Sequence, residues 1–137
     1  MGEVDTVMVI DDSDIFNIIA QKYLLSSKKV SKTILMPSGY SAINYIKANI
    51  NQLENIPDVV FLDINMPVVT GINFLDFIKT LPKEVQDKMS IIVISAEKLS
   101  DELEELYTKE GVIKGNILKP LSSDKVNTAL GLCNDSE

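Results

Sequence analysis

Arginine, histidine and tryptophan are absent from the 137 residues, and cysteine occurs once, at Cys133. Without histidine the chain lacks the usual general base and the commonest metal ligand. Its chemistry must therefore run on carboxylates, lysine, hydroxyls and the backbone. A lone cysteine cannot close an intramolecular disulfide, which points to a reducing, cytoplasmic compartment. Positive charge is also scarce. All 13 cations are lysines and the formal net charge is −7, whereas direct nucleic-acid binding needs a basic surface to meet phosphates. No apolar run approaches the ~18–20 residues of a membrane span, and no signal-peptide pattern precedes Val7. Neither nucleic acid nor membrane is an expected partner.

What is present suits one globular domain, because this length supports a single hydrophobic core without covalent staples. The expectation is one domain over 1–137, with its core at about 6–132 and a short acidic tail at 133–137. Short β-branched runs alternate with longer helical patterns. Val7-Met8-Val9-Ile10, Val59-Val60-Phe61-Leu62 and Ile91-Ile92-Val93-Ile94 are continuous apolar runs, as buried parallel strands should be. Thr33-Ile34-Leu35-Met36 and Asn116-Ile117-Leu118 are weaker candidates at similar spacing. Between them, Ile15, Ile18, Ile19 and Tyr23 recur at helical spacing behind a plausible N-cap, Ser13. Stretches 40–50, 72–80, 99–110 and 122–132 read the same way. The unit strand-then-helix occurs five times, which predicts an α/β fold, a doubly wound parallel sheet with helices on both faces.

That architecture says where to look. Ligands in such sheets sit outside the carboxyl ends of the strands, where strand order reverses. The residues in those places are Asp11-Asp12, Pro37, Asp63, Ser95 and Lys119. If the first and third strands are neighbours, Asp11, Asp12 and Asp63 converge. Three close carboxylates repel, and without a cation at least one should resist ionising. A hard ion such as Mg²⁺ resolves this with one or two carboxylates plus waters or phosphate oxygens. Lys119 adds a mobile point cation suited to phosphate, and Ser95 offers a hydroxyl donor. A carboxylate can itself be the nucleophile and form an aspartyl phosphate. Such transfer needs mainly positioning and charge neutralisation.

Blander readings exist for each piece. Asp11-Asp12 could simply cap the first helix, Asp63 could be a solvated loop residue, and Lys119 a surface charge. The acidic run Asp101, Glu102, Glu104, Glu105 reads first as a solvated helix face. Each motif is weak alone; four in order after predicted strands are specific.

Together they resemble a response-regulator receiver domain. The carrying residues are Val9-Ile10-Asp11-Asp12-Ser13, the run Pro57-Asp58-Val59-Val60-Phe61-Leu62-Asp63-Ile64-Asn65-Met66-Pro67 with Gly71, then Ile94-Ser95-Ala96 and Leu118-Lys119-Pro120-Leu121. The resemblance implies a flavodoxin-like five-stranded sheet, order 2-1-3-4-5, with five helices. It implies that Asp63 takes a phosphoryl group from a sensor histidine kinase or histidine phosphotransfer protein. It places Mg²⁺ on Asp12, Asp63 and the Asn65 backbone carbonyl directly, and on Asp11 through water. Ser95 and Lys119 would bind the phosphoryl group, and a cis bond would join Lys119 to Pro120. Gly71 would permit the turn after Met66-Pro67. Output would pass to an unidentified partner through the fourth helix, fifth strand and fifth helix. Such a module is not an enzyme in the ordinary sense, although it catalyses its own phosphorylation and slow dephosphorylation. One departure stands out: Asn116 occupies the place, three residues before the lysine, of an aromatic that normally changes rotamer with the switch hydroxyl. Two rivals remain open. One is a degenerate receiver acting only as an interaction module. The other is a haloacid-dehalogenase-type phosphotransferase, which wants a second Asp where Asn65 stands.

Overall fold

The computed structural model describes residues 4–66, 68–105 and 113–133. The helix expected over 99–110 is therefore described only to Glu105; Leu106, Tyr107, Pro67 and the tail at 134–137 lie outside the described residues. The elements are β1 (Val4–Ile10), α1 (Asp14–Ser26), β2 (Val30–Met36), α2 (Gly39–Ala48), a 3₁₀ turn (Leu53–Asn55), β3 (Val59–Asp63), α3 (Gly71–Lys79), α4 (Lys83–Lys88), β4 (Ser90–Ser95), α5 (Asp101–Glu105), β5 (Ile113–Leu118) and α6 (Ser123–Cys133).

All pairings are parallel and the strand order is β2-β1-β3-β4-β5. The strand-helix alternation and the flavodoxin-like order are those expected. The reversal of order lies at β1 and β3, which pair from Val7↔Val59 to Ile10↔Leu62. That register sets Asp11 beside Asp63, at the crevice where such sheets bind ligands.

The central strands β1, β3 and β4 are buried on both faces, as their unbroken apolar runs require. Met8, Ile10, Val60, Leu62 and Val93 point into one core, closed by Ile46 of α2 and Phe74, Leu75 and Ile78 of α3. Val7, Val9, Phe61, Ile92 and Ile94 point into the other, closed by Ala20 and Leu24 of α1 and Val126, Ala129 and Leu130 of α6.

Two details go beyond the sequence reading. The short helix α4 intervenes between α3 and β4; only Val85 of its residues is buried, so it carries no periodic signal. In α1 the buried positions are Asn17, Ala20 and Leu24, whereas Ile15, Ile18 and Ile19 are exposed. The spacing of the isoleucines announces the helix, yet their stripe faces solvent.

Candidate phosphoryl-acceptor and metal site

Each polar residue of the site stands at or just past a strand's carboxyl end. Asp11 and Asp12 follow β1, Asp63 closes β3, Ser95 closes β4 and Lys119 follows β5. Parallel pairing brings these ends to one edge of the sheet. One carboxylate oxygen from each of Asp11, Asp12 and Asp63 lies within 4.8 Å of the others.

Burial divides the three acids. Asp11 is 1% exposed and Asp63 5%, while Asp12 is open to solvent. Burial pushes the Asp11 carboxyl above the ordinary aspartate range; the Ser13 N–H opposes this, the charge on Asp63 adds to it, and Lys119 opposes it again. Desolvation and a like charge both disfavour the ionised form, as three converging carboxylates should.

Backbone and side-chain bonds fix the cluster. Ser13 N–H donates to Asp11 Oδ1 at 2.9 Å, and Ser13 Oγ accepts from Phe16 N–H at 3.1 Å as the cap of α1. The Asn17 amide donates to the carbonyls of Asp11 at 3.0 Å and Met36 at 3.3 Å, clipping the ends of β1 and β2 together. Asn65 N–H donates to Asp63 Oδ1 at 3.1 Å. The loop after Asp63 is closed by Gly71 N–H on the Ile64 carbonyl at 3.2 Å and by a capping box between Thr70 and Asn73. A Cβ on Gly71 would lie 2.5 Å from Ile64 Cδ1 and 2.7 Å from Ile64 Cα, so glycine is required there by close approach.

Lys119 reaches the cluster across the top of the sheet. Its backbone N–H bonds the Ser95 carbonyl at 2.8 Å, and its bond to Pro120 is cis, as expected. Its ammonium lies 3.1 Å from Asp11 Oδ2. That oxygen is buried and otherwise has no hydrogen-bond partner, so the ion pair is its sole protein partner among the described residues. Ser95 is in place but differently engaged: its hydroxyl donates to the Glu97 carbonyl at 2.6 Å. A cavity of about 330 Å³ adjoins it, lined in part by Asn65, Ser95, Leu99 and Ser100.

Phe16 and Asn17 escaped the sequence reading. A single Phe and a single Asn on a helix carry no motif, and only the fold shows that both turn toward the acidic edge. The donor set suits Mg²⁺: all oxygen, more than one carboxylate, and a buried Asp11 oxygen whose sole protein partner among the described residues is the Lys119 ammonium.

Comparison with known proteins agrees with this geometry. A family model described as the response regulator receiver domain matches residues 7–131. A protein-glutamate methylesterase/protein-glutamine glutaminase from Nitrobacter hamburgensis is 32% identical over 95 residues, covering 69% of this chain and 22% of the relative. A second such protein from Shewanella oneidensis is 37% identical over 70 residues, 51% of this chain and 18% of the relative. The chain thus spans about a fifth of the length of the curated relatives it matches. Among solved structures, a two-component response regulator from Cytophaga hutchinsonii superposes with a TM-score of 0.84 at 22% identity, covering 96% of this chain and 97% of that one. The receiver domain of an Arabidopsis thaliana histidine kinase, complexed with Mg²⁺ and BeF₃⁻, gives 0.72 at 22% identity over 90% and 88%.

Proposed function

The chain belongs to the response regulator receiver domain family, and from that premise we propose that Asp63 accepts a phosphoryl group in a Mg²⁺-dependent reaction. The observation that carries this reading is the convergence of Asp11, Asp12 and Asp63, with the Lys119 ammonium on the same cluster. The donor is the phosphohistidine of a sensor histidine kinase or histidine phosphotransfer protein. An Asp63 carboxylate oxygen attacks phosphorus, the phosphorus–nitrogen bond breaks, and its electron pair returns to the imidazole nitrogen, which regains a proton. Asp11, Asp12, Asp63 and the Asn65 carbonyl would hold Mg²⁺, which when bound neutralises charge on the phosphoryl oxygens. Lys119 leaves Asp11 to pair with the phosphoryl group, and Ser95 donates its hydroxyl to it.

This exchange is also the switch. Drawing the Ser95 hydroxyl to the phosphoryl group breaks its bond to Glu97, so the segment 96–100 ahead of α5 must rearrange, with the adjoining cavity as the room to do so. Asn116 is exposed on β5 and too short to sweep the area an aromatic would. Output therefore runs through α5 more than through β5, toward a partner that meets the α5–β5–α6 face. The protein acts as a cytoplasmic signalling module rather than as an enzyme on a separate substrate. Among the described residues no helix is long and apolar enough to cross a membrane.

The phosphodonor protein has a surface to meet. Ile15, Ile18, Ile19 and Leu25 line the outer face of α1, which begins three residues after Asp11. A donor seated there holds its phosphohistidine over the acidic edge.

The test is labelling with radioactive acetyl phosphate and Mg²⁺. The wild type should take up one label per chain and Asp63→Asn none. Full labelling of Asp63→Asn sinks the assignment. An unlabelled wild type marks a degenerate receiver, and steady phosphate release from many substrates marks a haloacid-dehalogenase-type enzyme.

A further inference from the structure

The Lys119 ammonium has a second neighbour that the phosphoryl reading does not use. It lies 4.5 Å from the centroid of the Phe16 ring, within cation–π range. Phe16 sits in the first turn of α1, half-buried and packed against the core shared by α1 and α6. We propose that Phe16 is a positioning residue for Lys119, holding the ammonium at the acidic edge while it changes partner from Asp11 to the phosphoryl group on Asp63. This rests on the phosphoryl-acceptor reading above.

The geometry is a closed circuit. Asp11 Oδ1 accepts from Ser13 N–H, Ser13 Oγ accepts from Phe16 N–H, the Phe16 ring faces Lys119 Nζ, and Lys119 Nζ returns to Asp11 Oδ2. The ring is thus tied to the carboxylate that Lys119 must leave. A lysine head is a compact charge on a flexible stem and loses much rotamer entropy when held in one place. An ionic partner fixed beside it could confine it, but would compete with the incoming phosphoryl group. An aromatic face attracts the cation through its quadrupole and carries no net charge. It can restrict Lys119 in both states without opposing the exchange. Packing against the core fixes the ring, so it need not be ordered each time.

Two experiments decide this. First, phenylalanine at position 16 is replaced by its 4-fluoro, 3,5-difluoro and 3,4,5-trifluoro analogues, which keep the shape and drain the ring face. Labelling by acetyl phosphate at saturating Mg²⁺ should slow in that order, and Phe16→Leu should lose roughly two- to tenfold, as expected for a partly exposed cation–π contact. Phe16→Tyr should stay within about twofold of the wild type, since tyrosine keeps a cation-binding face. Second, in the protein without added metal, Phe16→Leu should shift the Lys119 side-chain methylene protons downfield as the ring current is lost, with assignment by their disappearance in Lys119→Met. Rates insensitive to fluorination while the wild type labels normally overturn the positioning role and leave Asp63 as acceptor. Unmoved Lys119 protons overturn the contact itself. A wild type that takes no label overturns the phosphoryl-acceptor reading, and this proposal with it.

Discussion

Lys119 is paired with Asp11, at 3.1 Å, and not with the proposed acceptor Asp63. One cation is thus held on the acid that lies deepest, and the proposed reaction would transfer it to the phosphoryl group on Asp63. Removing it should leave the acceptor intact but poorly served: Lys119→Met should label slowly while the three carboxylates still bind Mg²⁺.

Metal binding should separate side-chain ligands from backbone ones. Asp12→Ala removes a carboxylate from the cluster, whereas Asn65→Ala keeps its carbonyl. Isothermal titration with Mg²⁺ should show a loss of tenfold or more for Asp12→Ala and little change for Asn65→Ala. Equal losses would contradict the assignment of Asn65 as a backbone ligand.

Asp11 should make stability depend on pH in a definite direction. Its carboxyl is raised, chiefly by burial, so the folded protein gives up that proton less readily than the unfolded chain. The folded state then binds more protons across the window that begins at the unfolded value, ~3.9, and stability falls as pH rises through it. In EDTA, Asp11→Asn should raise the melting temperature at pH 7, and the gain should shrink as pH falls through that window and be gone below about 4. Added Mg²⁺ should stabilise the wild type more than the variant. A gain that grows toward acid pH would reverse the sign and refute the argument.

The outer face of α1 should matter to protein donors alone. Ile15 is 72% exposed, so Ile15→Asp should change folding stability by no more than about 0.5 kcal/mol. Labelling by acetyl phosphate should be unaffected. Transfer from the cognate phosphohistidine protein should slow tenfold or more, and equal rates from that donor would remove α1 from the docking surface.

Two glycines should respond oppositely to alanine. Gly71→Ala drives a Cβ into Ile64, backbone included, and should cost about 1–3 kcal/mol in urea unfolding. Gly131 lies in α6 with nothing within 4 Å of an added Cβ, and Gly131→Ala should add up to about 1 kcal/mol.

The strands and the residues of the candidate site were legible in the sequence because both rest on local signals. Runs such as Val59-Val60-Phe61-Leu62 state their burial outright, and Asp63, Ser95 and Lys119 each follow such a run or close it. Residue spacing also showed α1, since a helix repeats every 3.6 residues whatever surrounds it. What spacing cannot state is which side of a helix meets the sheet. In α1 both sides offer apolar residues, and the sheet took Asn17, Ala20 and Leu24, leaving Ile15, Ile18 and Ile19 outside. The partners of each polar atom were equally beyond the sequence. That Lys119 pairs with Asp11 and faces Phe16, and that the Ser95 hydroxyl bonds the Glu97 carbonyl, depends on distances between residues far apart in the chain or on the path of one loop. Composition and local pattern determined the chemistry available to this protein; the parallel register of β1, β3, β4 and β5 decided which of those groups touch, because only the sheet brings separate chain segments to one edge.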